Sequence, residues 1–319
     1  MKNLYILFFL ALCVSLLNSQ NFDKNSQITQ RSTTGKDFAI TFHPNVGEED
    51  RNIYLYVTSD EETEITLSVP GIDFTETRTI YPDSTNKIRI PAVIAQCYQR
   101  FTTDKPLMDM IFAGRALLLN STEPVSVVAA SEYSNSSEAF RVTPMSLTGQ
   151  SYIVSSRQDP LDIPEEDRTE WFTSYTSIIA FHDTTKITFT LGGNESTVVP
   201  SGLTTGESMT KTLHKGDVWL IPAMGPLSDL TGSEVSSDKP IACYSGNISA
   251  RIPEKSNSQN YIIEYDRPYY AWGTNYPVPY LVKKQSLPDF RIYSGKSGTP
   301  VLVDKQHAGN LNQYGGKED

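Results

Sequence analysis

The stretch from Leu230 to Asn247, LTGSEVSSDKPIACYSGN, has an order that occurs twice in this chain. A glycine-containing turn is followed by a short polar run, a proline and then a run of small and apolar residues. The segment from Ala113 to Asn135, AGRALLLNSTEPVSVVAASEYSN, repeats that order. A turn of this kind is ordinary when it occurs once. Two occurrences in the same register indicate a shared structural unit.

The glycines and prolines of these segments have a physical role. Proline lacks an N–H and has a fixed φ, so it suits the first residue of a strand. Glycine adopts turn conformations that other residues avoid. We therefore interpret Gly114 and Gly232 as turn residues and Pro124 and Pro240 as strand starts. Gly246, in the closing Ser-Gly-Asn, is interpreted as a turn that ends the second strand.

Other landmarks recur in the same order. The motif that begins at Thr63, TEIT, returns as TKIT at Thr185, and GQSY at Gly149 returns as GTNY at Gly273. A third copy opens near Thr299. Landmarks that keep their order and approximate spacing predict an internal duplication.

Strands dominate the sequence pattern. Phe38, Ile40 and Phe42 alternate with polar or small residues, and this period of two is typical of half-buried strands. Helical periodicity is nearly absent. The segment from Pro91 to Phe101 is the best helix candidate, with a strand as the alternative. A repeating unit of about 115 residues suits a β-sandwich better than a propeller blade. We predict an all-β fold of tandem repeated β-sandwich or jelly-roll-like modules.

The chain divides into predicted segments. Lys2 precedes an apolar run at the extreme N-terminus, which is typical of a secretory signal, with an uncleaved anchor as the alternative. No later segment is apolar enough to span a membrane. The predicted segments are a signal peptide at 1–19, a flexible leader at 20–34, β-repeat 1 at 35–160, β-repeat 2 at 172–288, and a third repeat or closing strands at 289–319.

Composition excludes some classes of partner. The 319 residues carry a formal net charge of −10, with a pI near 5.0. Nucleic-acid binding needs a basic surface, so no nucleic-acid partner is expected. The four histidines lack metal-ligand spacing, and SGKSGT at Ser294 lacks the first glycine of a phosphate loop. We expect neither a metal nor a cofactor.

Cysteines and glycosylation motifs add limited information. Cys97 and Cys243 remain after signal removal, and they either form a disulfide or are buried thiols. In a secreted eukaryotic chain, glycosylation motifs mark surface loops. Four are present, at Asn120, Asn135, Asn194 and Asn247.

An aromatic segment is the best candidate for a binding site. The stretch EYDRPYYAWGTNYPVPY, Glu264 to Tyr280, is stiffened by three prolines. Tyrosine and tryptophan are common at binding hot spots because they bury a large area at a small entropic cost. The candidate binding residues are Tyr265, Tyr269, Tyr270, Trp272 and Tyr276. The alternative, which applies mainly to Trp272 and Tyr276, is that the rings cap the end of a sandwich.

Five motifs in this order resemble the IgGFc-binding protein N-terminal domain family: GKDFAITFHPN, DTTKIT, HKGDVWLI, DLTGSEVSSDKPIACYSGN and WGTNY. The resemblance covers Gly35 to Val303. Ile248 stands where the family often has a cysteine, and Asn260 and Tyr261 replace an acidic and histidine-containing stretch. The resemblance implies a secreted or surface module, often within a larger multidomain protein. The family is named for binding the Fc part of immunoglobulin G, but no residue set for that ligand follows from the motifs.

These observations predict a secreted or surface-attached, non-enzymatic binding or adhesion module that recognises an extracellular protein or glycan. Two alternatives remain, an extracellular carbohydrate-active hydrolase and a structural spacer in a larger surface protein. An exposed aromatic cluster favours binding, whereas two facing carboxylates in a cleft favour the hydrolase.

Overall fold

Strands follow the apolar alternation of the sequence. A computed structural model of the chain has seventeen strands in its described part. They are β1 (Gly35–Ile40), β2 (Asn52–Ser59), β3 (Thr63–Val69), β4 (Phe74–Ile80), β5 (Asn86–Pro91), β6 (Met110–Phe112), β7 (Leu117–Glu132), β8 (Glu138–Arg141), β9 (Gly149–Ile153), β10 (Ser174–Ala180), β11 (Thr185–Thr190), β12 (Ser208–Leu213), β13 (Val218–Pro222), β14 (Glu234–Ala250), β15 (Asn260–Tyr265), β16 (Thr299–Val303) and β17 (Gln306–Leu311). The prediction of an all-β fold is confirmed.

The structure describes residues 33–43, 52–97, 108–132, 136–161, 172–253, 256–277, 291–296, 298–303 and 305–311. The predicted signal peptide and all but the last two residues of the leader lie outside these ranges. Helical structure in the described residues is limited to single turns, namely the α-helix α1 (Ala92–Ala95) and the 3-10 turns Pro70–Ile72, Met145–Leu147 and Tyr269–Ala271. The predicted helix candidate from Pro91 to Phe101 thus contributes one turn, and residues 98–101 are outside the described part. No helix in the described part is long and apolar enough to span a membrane.

Two large sheets have the same pairing scheme. The first has seven strands in the order β4-β3-β7-β2-β5, with β1 and β8 also paired to β7. The second has the order β12-β11-β14-β10-β13-β6, with β9 and β15 also paired to β14. Each strand of the first sheet therefore has a counterpart in the second. β1 to β5 correspond in order to β9 to β13, and β7 and β8 correspond to β14 and β15. The registers agree as well, since Ile65 lies opposite Ser121 and Ile187 lies opposite Ser237.

The division of the strands into two sheets does not coincide with the predicted repeat boundary at residue 160. β6 pairs with β13, and β9 pairs with β14, so both belong to the second sheet although they lie inside the predicted first repeat at 35–160. Gly149 at the start of β9 lies opposite Ile241, as Gly35 at the start of β1 lies opposite Val125. The boundary predicted at 160 therefore separates β9 from its own sheet.

The prediction that Pro124 and Pro240 start strands is wrong. Both lie inside long strands, β7 and β14, that begin several residues earlier. Before Pro124, β7 pairs with β3 up to Ser121, and after it β7 pairs with β2 from Val125 onward. β14 changes partner from β11 to β10 in the same way around Pro240. Each proline thus lies in the gap between two partners, where no ladder bond needs its missing N–H.

The predicted turn at Gly246 is also wrong, because β14 continues through Ser-Gly-Asn to Ala250. A Cβ at Gly246 would overlap the carbonyl oxygen of Ile262 on the neighbouring β15. Glycine is therefore needed here for close strand approach rather than for a turn. Gly114 and Gly232 both lie in turns, with φ of 61° and 88°.

One buried apolar cluster extends through both sheets. At the contact between the first and second sheets, the Tyr244 hydroxyl donates to the carbonyl oxygen of Ala39 at 2.8 Å. The Phe140 ring packs edge-on against Tyr244 at 5.6 Å. The described residues, which begin at Thr33 and end at Leu311, form one compact unit.

The two cysteines are buried thiols and do not form a disulfide, which is the second of the two predicted alternatives. Cys97 and Cys243 are both free and both fully buried. Burial raises the pKa of the Cys97 thiol to about 11, so the side chain is protonated and packs as a small apolar group.

The prediction that Asn247 marks a surface loop is wrong. Its side chain is fully buried in β14. Its Nδ2 lies within hydrogen-bond distance of the carbonyl oxygens of Arg157, Gln158 and Phe172, at 2.7–3.1 Å. Its Oδ1 accepts from the N–H of Ser249 at 2.7 Å. The side chain ties the β9–β10 connection to β14 and leaves no room for a glycan.

Asn247→Ala is expected to lower the free energy of unfolding by roughly 2–4 kcal/mol, because several buried backbone groups lose their partner. Urea denaturation measures this change. Asn194→Ala, at an exposed asparagine of the β11–β12 connection, is the control and should change stability by less than about 1 kcal/mol. Equal effects of the two substitutions would contradict the structural role of Asn247.

Candidate binding surface

The aromatic loop, Tyr269–Tyr276, follows β15 directly. Pro268 precedes a 3-10 turn over Tyr269–Ala271, in which the N–H of Ala271 donates to the Pro268 carbonyl at 2.9 Å. Proline suits this position because its fixed φ favours the start of a turn. The loop therefore leaves the sheet with a defined direction.

Several rings of the aromatic loop are open to solvent. The exposed fractions are 41% for Tyr269, 51% for Tyr270 and 64% for Tyr276. Trp272 is half-buried, and its ring centroid lies 5.3 Å from that of Tyr269. These four side chains form an aromatic surface on one short segment.

Hydrogen bonds hold the rings of the aromatic loop in place. The Trp272 indole N–H donates to the carbonyl oxygen of Arg267 at 3.0 Å. The Tyr270 hydroxyl donates to the carbonyl oxygen of Leu147 at 2.8 Å, which joins the loop to the 3-10 turn before β9. Trp272 and Tyr270 thus each keep one polar atom bound to the protein while part of the ring surface stays open.

Two glycines allow the scaffold to approach these rings closely. A Cβ at Gly149 would lie 2.6 Å from the Pro268 Cβ and 3.0 Å from the Tyr270 ring. A Cβ at Gly295 would overlap the Tyr269 ring. The aromatic loop therefore packs against both β9 and the segment 291–296.

Segment 291–296 is anchored in turn by an ion pair. The Arg291 guanidinium lies 3.2 Å from the buried Asp229 carboxylate and also donates to the carbonyl oxygen of Ser156 at 3.3 Å. Asp229 accepts from the Thr231 N–H at 2.9 Å, so it also shapes the LTGS turn. Sequence reasoning recognised this motif but not its acidic residue as an anchor. A carboxylate just before a Thr-Gly turn was the available signal.

Tyr265 does not belong to the exposed aromatic surface. It is 5% exposed, and its ring packs edge-on against Tyr244 at 5.5 Å. Its hydroxyl lies 3.1 Å from that of Tyr152. The reason is strand alternation, since Tyr261, Ile263 and Tyr265 all face the core along β15.

Asp266 is a buried carboxyl immediately behind the aromatic loop, and sequence reasoning missed it. Its Oδ1 accepts from the N–H of Ser155 at 3.0 Å, and its Oδ2 accepts from the Ser245 hydroxyl and contacts the Cys243 thiol at 3.4 Å. Burial raises the pKa of Asp266 to about 7, although these hydrogen bonds oppose the shift. Its burial depends on strands distant in sequence, so no local pattern pointed to it.

The remaining predicted site residues are scattered. Asn120 is exposed on β7, where its Nδ2 donates to Asp37 at 2.5 Å, and Asn194 is exposed in the β11–β12 connection. Asn135 lies outside the described residues. Within the described ranges, histidine, cysteine, aspartate and glutamate side chains do not gather in groups of three or more that would suit a metal.

The pKa of Asp266 predicts a pH dependence of stability. Because this pKa is about 7 in the folded chain and near 3.8 in an unfolded chain, the folded state binds more protons between these values. The stabilisation is complete below about pH 4 and is lost as the pH rises through 7. Asp266→Asn stays neutral, so wild type should lose about 4 kcal/mol relative to this variant between pH 4 and pH 8. Urea denaturation at several pH values measures the difference.

The control for that experiment is Asp83→Asn, at an exposed turn residue with φ of 55° that asparagine also tolerates. This variant also removes one carboxyl group, so a pH trend equal to that of Asp266→Asn would contradict the assignment. A constant difference between wild type and Asp266→Asn would contradict the assignment.

Comparison with known proteins identifies a family. The family model described as IgGFc binding protein matches residues 138–316. No curated protein and no solved structure matches the chain. The matched range contains β8 to β17, and therefore the aromatic loop with its anchors. On this match over more than half of its length, the chain belongs to the IgGFc-binding protein family.

Proposed function

We propose that this protein is an extracellular, non-enzymatic binding module and that its aromatic loop contacts the ligand, a protein or a glycan. The observation that carries the proposal is a set of exposed rings, Tyr269, Tyr270 and Tyr276, on a segment fixed by hydrogen bonds and close packing. Family membership supports a binding role.

Rigidity is what makes these rings suitable for binding. An exposed ring on a mobile segment loses freedom when a ligand binds, and this loss weakens the complex. Here the Tyr270 and Trp272 polar atoms are already bound to the scaffold. Such rings offer a large contact area with little further ordering.

Export and repetition complete the proposal. The apolar N-terminal segment and the family both support a secreted or surface-attached protein. The matched strand pairing of the two sheets supports a duplication into repeats near 35–160 and 172–288, in which β6 and β9 of the first segment pair within the second sheet. We also propose that the module works within a larger multidomain surface protein, as the family resemblance implies.

Hydrolysis of carbohydrate is the second candidate function. It rests on Glu138 of β8 and Glu264 of β15, whose pKa values are both raised, mainly by burial, while the charge of Glu264 also raises that of Glu138. A protonated and an ionised carboxyl group are what glycoside hydrolysis requires. We rank this function second because the family description names binding.

The binding proposal is tested with the purified protein on a glycan array and in a pull-down with immunoglobulin G and its Fc fragment. Trp272→Ala and Tyr270→Ala should each weaken capture of the ligand found by about 10- to 100-fold, as expected for hot-spot rings. The matched control is Tyr81→Ala, a tyrosine of the β4–β5 connection with 56% exposure, which should bind like wild type.

Binding that is unaffected by both loop substitutions would exclude the aromatic loop as the site. Release of reducing sugar from an array glycan, abolished by Glu138→Gln or Glu264→Gln, would establish the hydrolase instead. Failure to bind any array glycan or immunoglobulin, with no turnover, would favour the structural spacer.

A further inference from the structure

The C-terminal hairpin β16–β17 corresponds to a hairpin in each large sheet. In the first sheet that hairpin is β3–β4, and in the second it is β11–β12. Each opens on a threonine opposite an isoleucine or leucine: Thr63 and Ile80, Thr185 and Leu213, Thr299 and Leu311. The three hairpins therefore have the same starting register.

The turns that lead into β11 and β16 agree in further detail. The hydroxyls of Thr185 and Thr299 each donate to the carbonyl oxygen three residues earlier, at 2.7 and 2.8 Å. The residues just before them, Thr184 and Gly298, both have left-handed backbone, with φ of 50° and 74°. Two independent turn features thus support the equivalence of β16 with β11.

The strands that correspond to β16 are β3 and β11. Each of them is paired on both edges, with its hairpin partner on one edge and with a long strand on the other. The first half of β7 pairs with β3, and the first half of β14 pairs with β11. As a result Ile65 and Leu67 on β3 are fully buried, and so are Ile187 and Phe189 on β11.

The same edge of β16 has no such cover in the described structure, where β16 pairs with β17 alone. Val301 corresponds to Ile65 and Ile187, and it is only half-buried. Val303 corresponds to Leu67 and Phe189, and it is 57% exposed. Leu302 between them is 62% exposed. Apolar positions that are buried in two hairpins are thus open in the third.

The two covering strands show which partner fits. Opposite Leu67 and Phe189 they place an apolar residue, Leu119 or Val235. A serine follows two positions later and a proline three positions after that, in both strands. We propose that the open edge of β16 binds an extended segment with this apolar-x-Ser-x-x-Pro pattern, in antiparallel orientation, as a third strand of the hairpin.

Pro300 in β16 is compatible with this role. Pro300 corresponds to Glu64 on β3 and to Lys186 on β11. The N–H of Glu64 donates to the Thr122 hydroxyl at 3.1 Å, and the N–H of Lys186 donates to the Asp238 carboxylate at 2.9 Å. At this position the covering strand therefore receives no backbone ladder bond in either large sheet. A proline here leaves no donor unpaired when a strand is added.

The test uses a fluorescent peptide with the sequence Glu234–Ala242, EVSSDKPIA, and the purified protein, with binding followed by fluorescence anisotropy. The peptide should bind saturably, and a scrambled peptide of equal composition should not. Leu302→Pro removes an N–H that faces the open edge, by equivalence with Thr66 on β3, and should weaken binding by at least about tenfold. Leu302→Ala keeps that N–H and should stay within about threefold of wild type.

Circular dichroism and unfolding midpoints are measured to check that both variants remain folded. Trp272→Ala should leave peptide binding unchanged, so this result is separate from the fate of the aromatic loop. The proposal is overturned if neither peptide binds, if both bind equally, or if Leu302→Pro binds like Leu302→Ala. Concentration-dependent dimerisation that Leu302→Pro abolishes, without peptide binding, would assign the edge to a second copy and would also overturn it.

Discussion

A proline inside each long strand determines how the sheets of this protein are built. A strand in the middle of a sheet has to supply an N–H at every ladder position, and proline has none to supply. Pro124 and Pro240 occupy the short gap in which β7 and β14 leave one partner and join the next. In each sheet one continuous chain segment thereby pairs with four strands. The sheet built around β7 has seven strands in total, and the sheet built around β14 has eight. The same device in both sheets gives them the same order and register.

Contact between the sheets fixes their relative position through polar groups as well as apolar packing. Fully buried His43 stacks on Tyr175 at 3.6 Å and shares a short hydrogen bond with the Ser177 hydroxyl of β10. Burial lowers the pKa of His43 well below its ordinary value, so the imidazole is neutral in the folded protein. Since a buried polar group costs free energy when it loses its partner, this pair and the Tyr244–Ala39 bond disfavour sliding of one sheet on the other. β15 pairs with β14, the strand that carries Tyr244, so these contacts also fix the position of the end of β15 and of the aromatic loop that follows it.

The two surfaces proposed for binding differ in their physical basis. The aromatic loop offers side chains whose orientation is already fixed, and its contribution would come from ring area. The β16 edge offers main-chain donors and acceptors, and it would recognise its partner by the order of apolar, serine and proline residues in an added strand. Both surfaces lie within the range that matches the family, residues 138–316. The two proposed surfaces would therefore bind different partners, an external ligand at the aromatic loop and an extended peptide segment at the β16 edge.

The sequence by itself determined the strand content, the recurrence of the glycine and proline motif, and the short segment that carries the exposed rings. These features depend on alternation, turn chemistry and composition, which are local. Alternation also held the signal that Tyr265 faces inward, two residues after Ile263. Only the tertiary structure decided that both prolines lie within strands, that Asn247 is buried and that Asp266 is a buried carboxyl with a raised pKa. Each of these outcomes depends on strands far apart in sequence, and a local pattern does not specify which of them will become neighbours.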